Sequence, residues 1–166
     1  SRLNNDAEGA RQNLEMARRM VQFSRAEVRH SLWNLESQLL QDGNLGAALT
    51  EIARQMSAGN TVAATVEISG PPRPLPAAAE HHLVRCSQEA LNNALRHSRG
   101  TEVIISLSRK GDTVRLTVAD DGVGFSNKAG LRASMGLKTM EYRARALGAA
   151  LEIRRCSPRG TLVSCT

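Results

Sequence analysis

Aromatic side chains are scarce: two Phe, one Trp and one Tyr in 166 residues. A core must therefore be aliphatic, and stacking platforms for single-stranded nucleic acid are poorly supplied. Cysteine is scarce too. The three present, Cys86, Cys156 and Cys165, are odd in number and lack close paired spacing. That argues against a disulfide framework or a zinc site and fits a reducing compartment. No apolar run approaches the roughly 20 residues that span a bilayer. No charged-then-apolar leader opens the chain, so no secretory signal is expected in it. No internal repeat is visible. With 41% hydrophobic and 23% charged residues, wholesale disorder is excluded as well. What is left is one ordinary domain, or one small domain with an appendage.

Lys and Arg number 22 against 16 Asp and Glu, a formal charge of +6. The basic groups are scattered, and the densest pairs, Arg18-Arg19 and Arg154-Arg155, fall in different expected elements. A direct nucleic-acid partner is therefore not expected. An acidic ligand such as a nucleotide polyphosphate needs only a few of these charges.

The chain divides near residue 58. From about Asn5 to Gln41, Ala7, Leu14, Val21, Val28 and Leu35 recur every seven residues, and Ala10, Ala17, Ser24 and Ser31 follow the first four by three. That is a narrow seam for packing in a helical bundle, and it needs a partner helix. Leu45 to Met56 reads as a second, short helix after Gly43. Beyond Gly59 the texture changes. Strands are expected over 61–68, 101–108 and 113–119, with a hairpin over 151–156 and 161–165. Helices are expected over 77–97 and 136–147, and a glycine-rich loop over 120–135. Residues 1–58 are thus read as a helical segment and 59–166 as a second domain. Mixed strands and helices without regular βαβ alternation imply an α+β fold. The simplest arrangement is a two-layer sandwich, a mixed sheet covered on one face by helices and preceded by the long bundle helix.

Three patterns carry chemistry. Glu89, Asn93 and His97 stand at i, i+4 and i+8, on one helix face in consecutive turns. A carboxylate, an amide and an imidazole in a row suit a hydrated Mg²⁺ and phosphate oxygens. Taken alone, the row also describes a solvated polar stripe. Asp120-Asp121-Gly122-Val123-Gly124 directly follows an apolar strand. A carboxylate there can accept a hydrogen bond from an exocyclic amine such as that of adenine, and glycine lets a flat ring approach the backbone. Alone, it is equally an ordinary Asp-Gly turn. Met135-Gly136-Leu137-Lys138 opens a helix, whose free N–H groups suit phosphate, or simply marks a glycine near a cap.

Their order is far more specific than any one of them: polar helix, strand, Asp-x-Gly-x-Gly, glycine loop, Gly-Leu helix start, then Gly160-Thr161. It resembles the catalytic ATP-binding domain of sensor histidine kinases of the NarX/DesK type. These belong to the superfamily with the Bergerat fold shared by gyrase, heat-shock chaperone and mismatch-repair ATPases. Residues 88–98 resemble the N box, Asp120 to Gly124 the G1 box, and Gly136 to Met140 the G2 box. Residues from Ala26 onward resemble the second helix of the dimerization and phosphotransfer bundle.

By that resemblance the ligands are ATP and Mg²⁺. Asn93 would ligate Mg²⁺, and Glu89 would act on it through a water or assist proton transfer. His97 would contact phosphate. Asp120 would bind the adenine amine, Gly122 and Gly124 would admit the ring, and Thr161 would support the site from the sheet. Gly136 and Leu137 would face the phosphates, and residues 125–135 would form the ATP lid. The resemblance also implies a homodimer, a response regulator as partner, and a cytoplasmic catalytic part of a membrane-associated sensor. The phosphoacceptor of such kinases is a His followed by an acidic residue. No His-Asp or His-Glu pair occurs among the four histidines. The phosphoacceptor helix is therefore expected upstream, and His30, His81 and His82 are read as helix-surface residues. Alternatives within the same fold are a serine kinase of an anti-sigma system, a chaperone-type or mismatch-repair ATPase, and a non-catalytic nucleotide-binding regulatory module.

Overall fold

The computed structural model describes residues 44–71, 74–125 and 135–166. The seamed helix expected over 5–41, with His30, lies outside these residues, as do residues 126–134 of the lid expected over 125–135.

Helix α1, Leu45–Ser57, starts where the Asn44 side chain accepts the Ala47 N–H at 3.0 Å, a standard N-cap bond. Leu45, Ala48, Leu49, Ile52 and Ala53 recur at helical spacing and are all buried. The helix stops before Gly59, which takes a left-handed φ of 74°. Strand β1, Ala63–Ser69, leads through a proline-rich connector to α2, Ala77–His97. In the first turn of α2 the buried Glu80 accepts the Leu75 N–H at 3.4 Å. Leu83, Val84, Cys86, Ser87, Ala90, Leu91 and Ala94 form its buried face.

Strands β2 (Glu102–Lys110) and β3 (Thr113–Asp120) form a hairpin around Gly111-Asp112. Helix α3, Met135–Ala146, follows, and the chain closes with β4 (Leu151–Arg155) and β5 (Thr161–Cys165). The sheet order is β1-β2-β3-β5-β4. Only β1 and β2 run parallel; the remaining pairs are antiparallel. Strand alternation divides the two faces. Val103, Ile105, Leu116, Val118 and Cys165 point into one aliphatic core with the buried residues of α1, α2 and α3. The other face carries polar contacts such as Ser106 to Glu67 (3.3 Å) and Arg115 to Thr166 (3.1 Å). This is the expected two-layer α+β sandwich. Element ends differ from expectation by one or two residues, because end turns depend on caps rather than periodicity.

Two findings concern the core. The helix expected over 45–56 falls, on the sequence, within the helical segment before the boundary after residue 58. In the structure α1 packs on α2 and β1, and Leu49 is fully buried in the same core as Leu91 and Ile105. The short helix is therefore a layer of the sandwich. Cys86 and Cys165 meet in that core. The neighbouring Cys165 thiol and burial push the Cys86 thiol far above its ordinary range, so it stays protonated and acts as a small apolar filler.

Leu49→Ala should therefore lower the stability of the whole unit by about 2–5 kcal/mol. Urea unfolding followed by helix and sheet signals should show one shifted transition. An unchanged midpoint would mean that α1 is not part of this core.

Candidate functional site

The polar row on α2 borders its buried face on the side of Cys86 and Ala90. Glu89 and Asn93 are half-buried, and His97 is exposed in the last turn. Helix α3 lies against the Glu89 end. A Cβ added to Gly136 would stand 2.7 Å from the Glu89 carboxyl carbon and closer still to one of its oxygens. Glycine thus brings the backbone of the first turn of α3 against the Glu89 carboxylate. Leu137, Met140 and Ala144 bury their side chains in the core and anchor α3 in this position. The Cys86 thiol, one turn before Glu89, faces the Met140 carbonyl at 4.0 Å.

The second cluster forms at the end of β3. Asp120 is half-buried, and its Oδ1 accepts the Gly122 N–H at 2.9 Å, an Asx turn that orients the carboxylate. The buried Gly122 packs directly on Ser98; a Cβ there would lie 2.6 Å from the Ser98 Cβ. The Val123 N–H donates to the Ser98 carbonyl at 2.8 Å. Gly124 has φ 67°, and a Cβ would meet the Gly160 carbonyl oxygen at 2.9 Å. Gly160, at φ 101°, abuts the Asp120 carbonyl. Ala119 pairs with Leu162, a register that leads on to Asp120 and the half-buried Thr161. Arg155 Nη2 closes the outer side with a bond to the Val123 carbonyl at 3.3 Å.

The structure therefore joins Glu89 to Gly136, Gly122 to Ser98 in the turn that ends α2, and Asp120 and Gly124 to Gly160 beside Thr161. Gly122 and Gly124 have a packing reason for being glycine, close backbone approach to Ser98 and Gly160, beside any role toward a ligand.

One residue escaped the sequence reading. Asp121 Oδ1 accepts the N–H groups of Thr101 (2.8 Å) and Glu102 (3.0 Å), and Oδ2 accepts the Thr101 hydroxyl at 2.8 Å. Arg159 Nη2 stands 3.7 Å from Oδ2. The bonds from the Glu102 N–H and from the Thr101 hydroxyl and N–H, with Arg159 nearby, hold this carboxyl down to about 2 against the usual 3.8. The Asp-Asp doublet is visible in the sequence. Its partners lie 19 and 20 residues away, and no local signal names them.

Residues 78–166 match the family model described as Histidine kinase-, DNA gyrase B-, and HSP90-like ATPase. The sensor protein VraS of Staphylococcus aureus (strain COL) is 34% identical over 152 residues, covering 92% of this chain and 43% of its own length. VraS of Staphylococcus haemolyticus is 33% identical over the same shares. The chain thus spans less than half the length of these curated relatives. The blue-light activated histidine kinase of Erythrobacter litoralis EL346 is similar at a TM-score of 0.69 and 25% identity, over 87% of this chain and 48% of that one. The Acinetobacter baumannii histidine kinase AdeS shares the fold at a TM-score of 0.60 and 13% identity, over 73% of this chain and 61% of that one. The five-stranded sheet with its helical layer is the architecture of histidine kinase ATPase domains, as the sequence resemblance implied.

The depressed Asp121 carboxyl makes stability depend on acid pH. A carboxyl whose folded value lies below its unfolded one stabilises above 3.8, and that contribution is lost as pH falls toward about 2. Urea midpoints measured from pH 5 down to pH 2 should fall less steeply for Asp121→Asn than for the native chain. Parallel slopes would show that the carboxylate bonds are not formed in solution.

Proposed function

Because the chain belongs to the histidine kinase-, DNA gyrase B- and HSP90-like ATPase family, we propose that it is the ATP-binding catalytic portion of a two-component sensor histidine kinase. Within that family, similarity over 92% of the chain to the sensor protein VraS favours the kinase branch over gyrase and chaperone relatives. The NarX/DesK type is part of the proposal.

The observation that carries the reading is the contact of Glu89 with Gly136. It sets Glu89, on the polar row of α2, beside the start of α3, where the helix dipole favours phosphate. Gly136 and Leu137 would contribute through the backbone, since the Leu137 side chain belongs to the core. His97, exposed at the last turn, would reach phosphate oxygens. Asp120 would accept the exocyclic amine of adenine, its carboxylate oriented by the Gly122 N–H, with Gly124 and Thr161 bordering the ring.

The donor set fits Mg²⁺. Asn93 and Glu89 offer oxygen ligands one helical turn apart, and this ion takes few protein ligands beside water and phosphate. Asn93 would hold it directly and Glu89 through a water. Bound with ATP, the ion would neutralise phosphate charge, while the protein groups position the nucleotide.

The γ-phosphoryl would pass to a histidine on an upstream bundle helix, since none of the four histidines here precedes an acidic residue. From there it would pass to a response regulator. The whole protein would act as a homodimer with this part in the cytoplasm. Among the described residues no helix is long and apolar enough to cross a membrane.

Calorimetric titration with Mg·ATP analogue should show binding, and Asp120→Asn should weaken it about tenfold or more, the scale of one buried hydrogen bond lost. Equal affinity would remove Asp120 from the adenine site. Labelled ATP should leave the 166-residue chain unlabelled and give acid-labile label on an added phosphoacceptor bundle fragment. Acid-labile label on the chain itself, abolished by changing His30, His81 or His82, would place the phosphoacceptor here.

A further inference from the structure

We propose that Asp121 is the positioning residue of the nucleotide site: its carboxylate holds together the three segment ends that carry the candidate nucleotide contacts. The inference rests on the nucleotide-site reading above.

The three ends are the turn after α2, the end of β3, and the β4–β5 hairpin. The first follows the row of Glu89, Asn93 and His97; the second carries Asp120; the third carries Gly160-Thr161. Asp121 belongs to the second. It accepts two N–H groups and a hydroxyl from Thr101 and Glu102, just beyond the first, and faces Arg159, next to Gly160, on the third. Its own N–H donates to the Glu102 carbonyl at 3.2 Å. No other side chain given these contacts reaches all three.

Space around it is allotted by glycine. A Cβ at Gly100 would fall on the Asp121 carboxylate and within 2.9 Å of the Gly122 nitrogen. Gly122 in turn rests on Ser98, whose hydroxyl accepts the Gly100 N–H at 3.0 Å. Between them Arg99 takes a left-handed φ of 54°, a conformation that residues with a side chain keep only where their surroundings hold it. The turn after α2 is thus pressed onto the loop after β3 with little slack. Successive residues leaving a strand point to opposite sides. One carboxylate of the Asp120-Asp121 pair is engaged in the clamp, and the other is left for a ligand. The Asp121 side chain is a third exposed, so it fills no core position whose loss would collapse the fold. Misplacing the turn would instead change the spacing between the Asn93 row and Asp120, to which binding is sensitive.

The test is calorimetric titration of the 166-residue chain with Mg·ADP. Asp121→Ala should bind about tenfold more weakly than the native chain. Asp121→Asn keeps an oxygen for the Thr101 and Glu102 N–H groups and should return to within about threefold. In an Asp120→Asn background, where the adenine acceptor is already impaired, adding Asp121→Ala should cost less than about threefold, a non-additivity that a general loss of stability does not produce. Hydrogen exchange should quicken at Thr101, Glu102 and Val123 while the Leu91 region stays protected. Should Asp121→Ala not fold, Thr101→Val removes one of the three bonds and should give a smaller loss in the same direction. Native affinity in Asp121→Ala, or equal costs in both backgrounds, overturns the positioning role alone. Absence of binding by the native chain overturns the nucleotide-site reading and this role with it.

Discussion

The turn that ends α2 meets the loop that ends β3 backbone to backbone. Ser98 rests on Gly122, the Val123 N–H bonds to the Ser98 carbonyl, and the Gly100 position leaves room for the Asp121 carboxylate. No side chain fits between them, so both segments are held within hydrogen-bond distance. The Asn93 row stands on one segment and Asp120 on the other. Every candidate role for these residues depends on that approach, and the approach depends on glycine at 100 and 122.

The helical layer makes the approach reproducible. With almost no aromatics available, the core is filled by Leu, Ile, Val, Ala, Met and two cysteine thiols. Small residues such as Ala90, Ala94 and Ala144 let α2 pack closely on the sheet and on α3. The same closeness puts Gly136 on Glu89. Helix α1 packs on α2 and β1, and α3 packs on α2 as well, so α2 is held by both helices and the sheet. A helix held in this way is the kind of element on which a binding row keeps its geometry.

A fold shared by kinases, topoisomerases and chaperones does not choose a chemistry. The kinase reading comes instead from similarity to the sensor protein VraS over nearly the whole chain and from the arrangement at Glu89 and Gly136. Phosphoryl transfer asks the protein mainly for position and charge compensation. On the proposed reading, the half-buried Glu89 beside the start of α3 and Asn93 one turn on would help to position the nucleotide and its metal without a nucleophile of their own.

Local pattern by itself determined the order of strands and helices and the two-layer class, and it marked Glu89, Asn93, Asp120, Gly124 and Gly136 as candidates for carrying chemistry. Those features are legible because helical spacing, strand alternation and glycine punctuation are short-range properties of the chain. Only the tertiary structure decided that residues 45–57 are a layer of the sandwich. An amphipathic helix of 13 residues states that it needs a partner but not which one. Only it decided that Leu137 is an anchor, that Gly122 packs on Ser98, and that Gly136 backs on Glu89. It alone distinguished the two adjacent aspartates. Asp120 and Asp121 are identical as side chains, and what separates them is a set of donors on Thr101, Glu102 and Arg159 that packing brings from distant parts of the chain.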